Sequence, residues 1–166
     1  TGTIFFSSSA PNSFSYNKII IQNSYPNPAI RIPSGSSSSF DFNEIKVRDY
    51  IAIDIDTSNS NQIRWNNISS NSLGIFIGGS PRPSYNIIEG NVISGFPFGI
   101  DMKDGFTNYI INNTILLGGL QISGDYHEII SNKIQSNLWG INLATAFANK
   151  VISNIINLGG TATGLE

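Results

Sequence analysis

The chain has 166 residues but no cysteine, a single histidine (His127), and only 12% charged residues. Without cysteine, disulfides and thiolate metal sites are excluded, and one histidine cannot make a zinc site of the usual type. The chain has no run of Lys or Arg, which argues against a nucleic acid partner. It also has no apolar stretch that approaches the length of a membrane-spanning helix. The sequence therefore predicts no metal site, no cofactor, no nucleic acid partner and no membrane insertion.

What the chain has in abundance is isoleucine, serine and asparagine. Isoleucine is a β-branched residue that favours strands, whereas serine and asparagine favour turns and exposed faces. With a net charge of −2, neutral polar groups must provide most of the solubility. The composition predicts an all-β domain with an isoleucine-filled interior.

An eight-residue frame, Asn-x-Ile-x-x-Asn-x-Ile, recurs along the chain. The five copies, two of them with one replaced position, cover residues 61–68, 86–93, 108–115, 127–134 and 149–156. The second Asn of the frame therefore falls at positions 66, 91, 113, 132 and 154, which are nearly evenly spaced. Self-similarity at such a period, built from strand-forming residues, predicts a solenoid whose turns stack around one core.

A second phrase, a small residue followed by apolar-x-apolar, alternates with the frame. Its copies are 29–32, 52–55, 74–77, 99–102, 119–122 and 140–143. This is the period-2 pattern of a strand with one buried face. Each coil is therefore predicted to contain three short strands, one from this phrase and two from the frame.

The second Asn of each frame lies between two predicted strands. A sharp turn there calls for positive φ, which Asn tolerates well, so we expect these residues to adopt a left-handed conformation. Stacked coils would align them in a column whose side-chain amides bond to one another. The predicted ladder is Asn66, Asn91, Asn113, Asn132 and Asn154.

These repeats resemble the right-handed parallel β-helix of the pectin-lyase-like superfamily, over about residues 16 to 166. The asparagine ladder of that superfamily falls at its second turn, which corresponds to the five Asn above. The resemblance implies an all-β, right-handed parallel β-helix of about six to seven coils. We treat residues 1–166 as a single β-helix domain, either a segment of a longer protein or an assembling subunit, whose uncapped coil ends would meet other chains.

In enzymes of that superfamily the active cleft lies outside the first strand. The outward positions of that strand here include Asp54 and Asp101, about 9.6 Å apart at the backbone if they are two coils apart. That separation is near the upper end for the carboxylates of inverting glycosidases, so both are candidate catalytic residues. The candidate ligand-binding residues on the same face are Arg31, Phe76, Lys103, Gln121 and Trp139.

Against catalysis, the motifs of polygalacturonases and alginate epimerases are missing, and outward carboxylates also serve solubility. Phe76 and Trp139 could stack on sugar rings or could simply cover a corner of the coil. His127 takes the place of the first Asn of its frame, which favours a structural role in a turn over general-base chemistry.

Other aromatic residues recur just before the second strand. Their recurrence predicts an internal aromatic stack in the core formed by Phe42, Tyr85, Phe106, Tyr126 and Phe147. Near the N-terminus, residues 7–15 are rich in Ser, Pro and Asn and are predicted to form a loop.

Three functions fit this sequence. The first, which we favour, is a non-catalytic extracellular module that is structural, adhesive or glycan-binding, of a fibre, adhesin or phage receptor-binding type. The second is a polysaccharide lyase or glycoside hydrolase that uses the outward carboxylates. The third is a structural protein that assembles by end-to-end stacking of coils. All three predict an extracellular location or one at a cell or virion surface.

Overall fold

The computed structural model describes residues 3–6, 11–22, 27–33 and 37–159, together with the backbone of 163–165. These residues form strands and no helix. In the first half they are β1 (Ile4–Phe5), β2 (Ser13–Ser15), β3 (Lys18–Ile21), β4 (Ile30–Ile32), β5 (Ser39–Asp41), β6 (Glu44–Val47), β7 (Ile53–Asp56), β8 (Gln62–Arg64), β9 (Asn67–Ser70), β10 (Ile75–Gly78) and β11 (Ile87–Glu89). In the second half they are β12 (Val92–Ser94), β13 (Phe98–Phe106), β14 (Tyr109–Ile111), β15 (Thr114–Leu117), β16 (Gly119–Asp125), β17 (Glu128–Ile130), β18 (Lys133–Ser136), β19 (Trp139–Phe147), β20 (Lys150–Ile152), β21 (Ile155–Leu158) and β22 (Thr163–Leu165).

The strands form three sheets, each made of every third strand of the chain. Sheet A has the order β1-β4-β7-β10-β13-β16-β19-β22, sheet B runs from β2 to β20, and sheet C from β3 to β21. The pairings are parallel throughout, so the chain passes through sheets A, B and C once per coil. The predicted all-β parallel solenoid is confirmed, with about seven turns. The described part of the chain has no helix that is long and apolar enough to span a membrane.

The core is a column of aliphatic side chains inside the coils. In sheet A, the pairs Ile53↔Ile75↔Ile100 and Ile55↔Ile77↔Met102 stack like on like from one coil to the next. All of these side chains are buried, as are Leu120, Ile122 and Ile141, and Leu143 packs against them. The period-2 phase predicted for the first strand is therefore correct.

The small residue that opens each first strand lies where the chain turns tightly from sheet C into sheet A. A Cβ at Gly99 would overlap the side chain of Ile115, and one at Gly74 would lie 2.5 Å from the carbonyl oxygen of Gly99. Even Ala would clash in these two coils, which explains why they have Gly at this corner, whereas the two earlier coils have Ala there.

The corner between sheets B and C carries the predicted asparagine column, which we call the B/C ladder. It consists of Asn17, Asn43, Asn66, Asn91, Asn113, Asn132 and Asn154. In the six members that follow Asn17, each Oδ1 accepts from the backbone N–H of the Asn one coil earlier, at 2.8–3.0 Å. From Asn43 onward, each Nδ2 also donates to a sheet B carbonyl of the earlier coil, as Asn91 does to Ile63 at 2.8 Å. The five predicted members are confirmed, and Asn17 and Asn43 extend the ladder.

The conformation predicted for these Asn residues is wrong. Positive φ belongs to the residue before each ladder Asn, as in Trp65 (φ 53), Asn112 (φ 56) and Ser131 (φ 56). Because the preceding residue makes the turn, the Asn side chain can point into the corner and reach the next coil. The ladder Asn is selected for its amide group and not for its tolerance of positive φ.

A second column lies at the corner between sheets A and B, and we call it the A/B ladder. It consists of Asn12, Ser38, Asn61, Asn86, Asn108, His127 and Asn149. It follows the same rule, with a side-chain acceptor for the backbone N–H of the previous coil. Ser38 supplies an Oγ, 3.3 Å from the Asn12 nitrogen, and His127 supplies Nδ1, 3.0 Å from the Asn108 nitrogen.

His127 therefore has the structural role predicted for it, as an asparagine substitute in the A/B ladder. Its ring is larger than an amide, and two glycines make room for it. A Cβ at Gly105 or Gly124 would lie 2.9 Å from an atom of the imidazole. Burial lowers the pKa of His127, although backbone groups of Ser123 and Gly105 and the Asp125 carboxylate offset part of that effect. Since Nδ1 accepts a hydrogen bond, the ring is neutral in the folded protein.

The predicted internal aromatic stack does not exist. Its five members lie outside the coil and are between 37% and 65% exposed: Phe42, Tyr85, Phe106, Tyr126 and Phe147. The cause is the corner geometry, because a residue at positive φ directs its side chain away from the core, and Phe42, Tyr85 and Tyr126 have this conformation. Among the described residues, the aromatic side chains in the core or packed against it are those of Phe6, Phe14, Phe40 and Tyr50, in the N-terminal coils.

The loop predicted for residues 7–15 is also partly wrong. Residues 7–10 lie outside the described part of the chain, but Ser13–Ser15 forms β2, which pairs with β5. Phe14 packs edge-on toward Phe6 with ring centroids 5.5 Å apart. The strand was not predicted because only one of its three residues, Phe14, is apolar and faces the core, whereas the other two are Ser.

Candidate functional site

The outward residues of sheet A form a continuous column along the solenoid. The strand register places Arg31, Asp54, Phe76, Asp101, Gln121 and Asn142 side by side on consecutive coils. Neighbouring members are about 4.8 Å apart at the backbone, the usual spacing of paired strands. Asp54 and Asp101 are therefore separated by two strand spacings, with Phe76 between them.

An ion-paired cluster occupies the start of this column. Nη2 of Arg31 lies 2.9 Å from Oδ2 of Asp56, and Nε of Arg31 lies 3.4 Å from Oδ2 of Asp54. The guanidinium thus spans two carboxylates that are two positions apart on β7. Gly79 (φ 131) lies against this cluster, and a Cβ there would overlap the Asp56 carboxylate. Asp56 was not among the predicted site residues, but its alternation with Asp54 placed it on the same face.

Asp54 is 8% exposed, and its electrostatics follow from that burial. Desolvation raises the pKa of Asp54 to about 6, with the Arg31 charge opposing the rise and the Asp56 charge adding to it. A carboxyl group in such a setting exchanges its proton near neutral pH, as general acids do.

A second cluster is built around Asp101. Nζ of Lys103 lies 3.8 Å from Oδ2 of Asp101 and 5.7 Å from the centre of the Phe76 ring. The Phe76 ring lies over Gly78, where an added Cβ would come within 2.8 Å of it. Burial raises the pKa of Asp101, and the Lys103 charge opposes that rise. In the strand register, Phe76 pairs with Asp54 on one side and Asp101 on the other.

Several polar atoms of this face are buried and make no hydrogen bond within the described residues. They are Oδ1 of Asp54, Oδ1 of Asp101 and Nε of Arg31. Leaving a buried polar group unpaired costs about 1–3 kcal/mol. Such groups are rare in proteins, and a cluster of them on one face is typical of a functional site.

The remaining predicted residues are less closely placed. Gln121 is half-buried and pairs with Asp101, so it continues the column. Trp139 opens β19, three strands away from the strand that carries Phe76. At about 4.8 Å per strand this is roughly 14 Å, so the two aromatic residues cannot contact the same sugar ring. Sheet A therefore brings together Arg31, Asp54, Phe76, Asp101 and Lys103 and leaves Trp139 apart.

Comparison with known proteins identifies a family. A family model described as "Periplasmic copper-binding protein (NosD)" matches residues 3–159. No curated protein matches the chain.

The side chains of this chain do not fit a copper centre. Copper sites in proteins use Cys, Met and His, and the chain has no Cys, one Met and one His. Both are fully buried: Met102 Sδ lies 3.6 Å from Nδ2 of Asn108, and Nδ1 of His127 accepts the Asn108 N–H. Within the described ranges, no group of three or more His, Cys, Asp or Glu side chains could hold a metal ion.

Proposed function

We propose that this chain, which belongs to the NosD family of periplasmic β-helix proteins, is an exported, non-catalytic module that binds a glycan along the outer face of sheet A. The family is described as periplasmic, and we propose an envelope or extracellular location on that ground. A copper-binding role is not part of the proposal, because the chain has no Cys and its one Met and one His are both buried.

The observation that carries the proposal is the composition of the sheet A column. An aromatic residue with a cation beside its ring lies between two carboxylates, and all belong to the outer face of sheet A in unbroken register. Sugars present apolar ring faces and hydroxyl edges, which fit an aromatic ring flanked by charged acceptors and donors. A rigid face of this kind can contact several units of a polymer without reorganising.

Glycan-array binding followed by titration tests this proposal. The probe variant is Phe76→Ala, and the matched control is Thr114→Ala, which truncates an outward residue of sheet C. We expect Phe76→Ala to weaken binding of the selected glycan by about tenfold and Thr114→Ala to leave it unchanged. The proposal fails if no glycan of the array binds, or if Phe76→Ala binds as tightly as the unmodified chain.

Glycan cleavage is a second candidate function, supported by the raised pKa values of Asp54 and Asp101. Their separation of about 9.6 Å along the sheet is near the range of inverting glycosidases. The position of Phe76 between them in the strand register favours binding instead, because an aromatic residue separates the two carboxylates. Release of reducing ends from a bound polysaccharide, abolished by both Asp54→Asn and Asp101→Asn, would establish the enzyme and replace the binding proposal.

Association with other chains through the coil ends stays a prediction. In the coil of β20 and β21 the inward residues Val151 and Ile156 are only partly buried, whereas their equivalents in central coils are fully buried. Sedimentation of the full-length protein at several concentrations measures whether copies associate.

A further inference from the structure

The corner between sheets A and B carries a cavity that is separate from the sheet A column. Its volume is about 330 Å³, and it is lined by Phe106, Thr107, Tyr126, Glu128, Ala148 and Lys150. This volume is at the lower end of the range for small-ligand sites. The cavity exists because a large residue stands between two small ones on successive coils: Thr107, Tyr126 and Ala148 follow one another at the same corner position.

The aromatic residues at this cavity differ in geometry from the other exposed aromatic group of the molecule. Tyr16, Phe42 and Trp65 stack face to face, with interplanar angles of 6° and 17°, so they cover one another. Tyr126 instead meets Phe106 and Phe147 edge to face, at 5.3 and 5.8 Å between centroids. An edge-to-face pair covers at most one face of one ring, and ring faces therefore stay open to a ligand.

The polar lining of the cavity carries both charges but no net charge. Nζ of Lys150 lies 2.6 Å from Oε1 of Glu128, and the two belong to neighbouring strands of sheet B. Each keeps unused hydrogen-bonding capacity, since an ammonium has three donors and a carboxylate about four acceptor positions. The Thr107 hydroxyl adds a group that can either donate or accept a hydrogen bond.

From this arrangement we infer that the corner cavity is a second saccharide-binding site, which takes a neutral pyranose unit of a polysaccharide. The open aromatic faces match the apolar face of a pyranose, and the Glu128–Lys150 pair and Thr107 match its hydroxyl groups. An anionic sugar is disfavoured because the Lys150 charge is already neutralised by Glu128. This site does not require the sheet A face to bind a glycan.

The molecule offers a matched pair of variants for testing this site. Tyr126 and Tyr85 occupy the same corner position two coils apart, at φ 61 and 56, with 48% and 52% exposure. Only Tyr126 lines the cavity. Asparagine tolerates this φ, so Tyr126→Asn and Tyr85→Asn remove the same ring from the same backbone conformation. Equal thermal unfolding of the two variants confirms that they fold alike.

The experiment is calorimetric titration with neutral hexa-oligosaccharides of glucose, mannose and galactose, and with oligogalacturonate as the anionic probe. We expect at least one neutral probe to bind, Tyr126→Asn to weaken it by about tenfold, and Tyr85→Asn and the sheet C control Thr114→Ala to leave it unchanged. The inference is overturned if no neutral probe binds, if oligogalacturonate binds more tightly, or if the two Tyr variants behave alike. Loss of binding in Phe76→Ala alone would assign the glycan to sheet A and overturn the corner site.

Discussion

The two ladders have the same role at the corners of the coil but differ in the residue types that they contain. The B/C ladder uses Asn at all seven positions, whereas the A/B ladder includes Ser38 and His127. At both corners the chain leaves one sheet before entering the next, and a side chain must accept the backbone N–H that no strand can pair. The two ladders differ in the use of the amide NH2 group, the donor half of the Asn side chain.

In the B/C ladder, the Nδ2 of each Asn from Asn43 onward donates to a carbonyl of sheet B in the previous coil, in addition to what its Oδ1 accepts. In the A/B ladder, Asn86, Asn108 and Asn149 donate in the same way, to the carbonyls of Ser58, Pro83 and Gly124. Asn61 instead donates to the hydroxyl of Ser58, and the side chains of Ser38 and His127 have no amide. A position that needs both an acceptor and a donor in fixed geometry admits only an amide. A position that needs only an acceptor also admits a hydroxyl or an imidazole.

The largest difference between the ladders should appear when one acceptor is removed from each. Asn91→Leu removes four side-chain hydrogen bonds, two accepted from Asn66 and two donated to Ile63 and Asn113. At about 1 kcal/mol net for each, the expected loss of unfolding free energy is about 3–5 kcal/mol.

His127→Leu is the matched variant in the A/B ladder. It removes the acceptor for the Asn108 N–H, so the expected loss is about 1–3 kcal/mol. Chemical denaturation of both variants measures the difference. Equal losses would show that the two corners are equally demanding and would contradict the comparison.

A smaller effect concerns pH and is confined to the A/B ladder. Because the pKa of His127 is lowered in the folded state, the unfolded chain takes up the proton first as the pH falls. Its contribution is therefore fully present above the unfolded pKa of about 6.5 and decreases below it. Protonated Nδ1 can no longer accept the Asn108 N–H.

The raised pKa values of Asp54 and Asp101 act in the opposite direction, since the folded state takes up these protons before the unfolded chain does as the pH falls. For Asp54 this gain begins near its pKa of about 6. The unmodified chain alone would mix the two effects. Unfolding free energies of the chain and of His127→Asn, compared between pH 7.5 and about 4.5, isolate the histidine. We expect the difference between them to shift in favour of His127→Asn at acidic pH. A difference independent of pH would show that His127 keeps its ordinary pKa.

The smallest expected effect is a gain. Ser38 accepts the Asn12 N–H at 3.3 Å, longer than the 2.8–3.0 Å of the B/C ladder. Ser38→Asn would allow a shorter bond and a second one, so we expect stabilisation of less than about 1 kcal/mol. A shift of the denaturation midpoint to higher denaturant measures it, with Ser69→Asn on an outward position of sheet C as the control. Destabilisation by Ser38→Asn would mean that this corner is too narrow for an amide.

The sequence by itself determined the coil. Alternation of Ile with polar residues decides which side faces inward, and a frame recurring at a nearly constant spacing decides how the coils align. Shifting one strand by a single position would turn the inward isoleucines of that strand toward solvent. Five of the B/C ladder residues and the substitution of Asn by His127 could be predicted on that basis. Asn17 and Asn43 were not predicted, because the residues around them do not match the eight-residue frame.

Only the tertiary structure decided what the outward side chains do. Whether Phe42 and Tyr126 lie inside or outside depends on a corner φ that neighbouring coils impose, and spacing along the chain contains no such information. The pairing of Arg31 with Asp56, the burial that raises the pKa of Asp54, and the cavity beside Tyr126 all depend on contacts between neighbouring coils. Inward positions are fixed by a local period, but an outward side chain takes its role from the neighbours that stacking brings beside it.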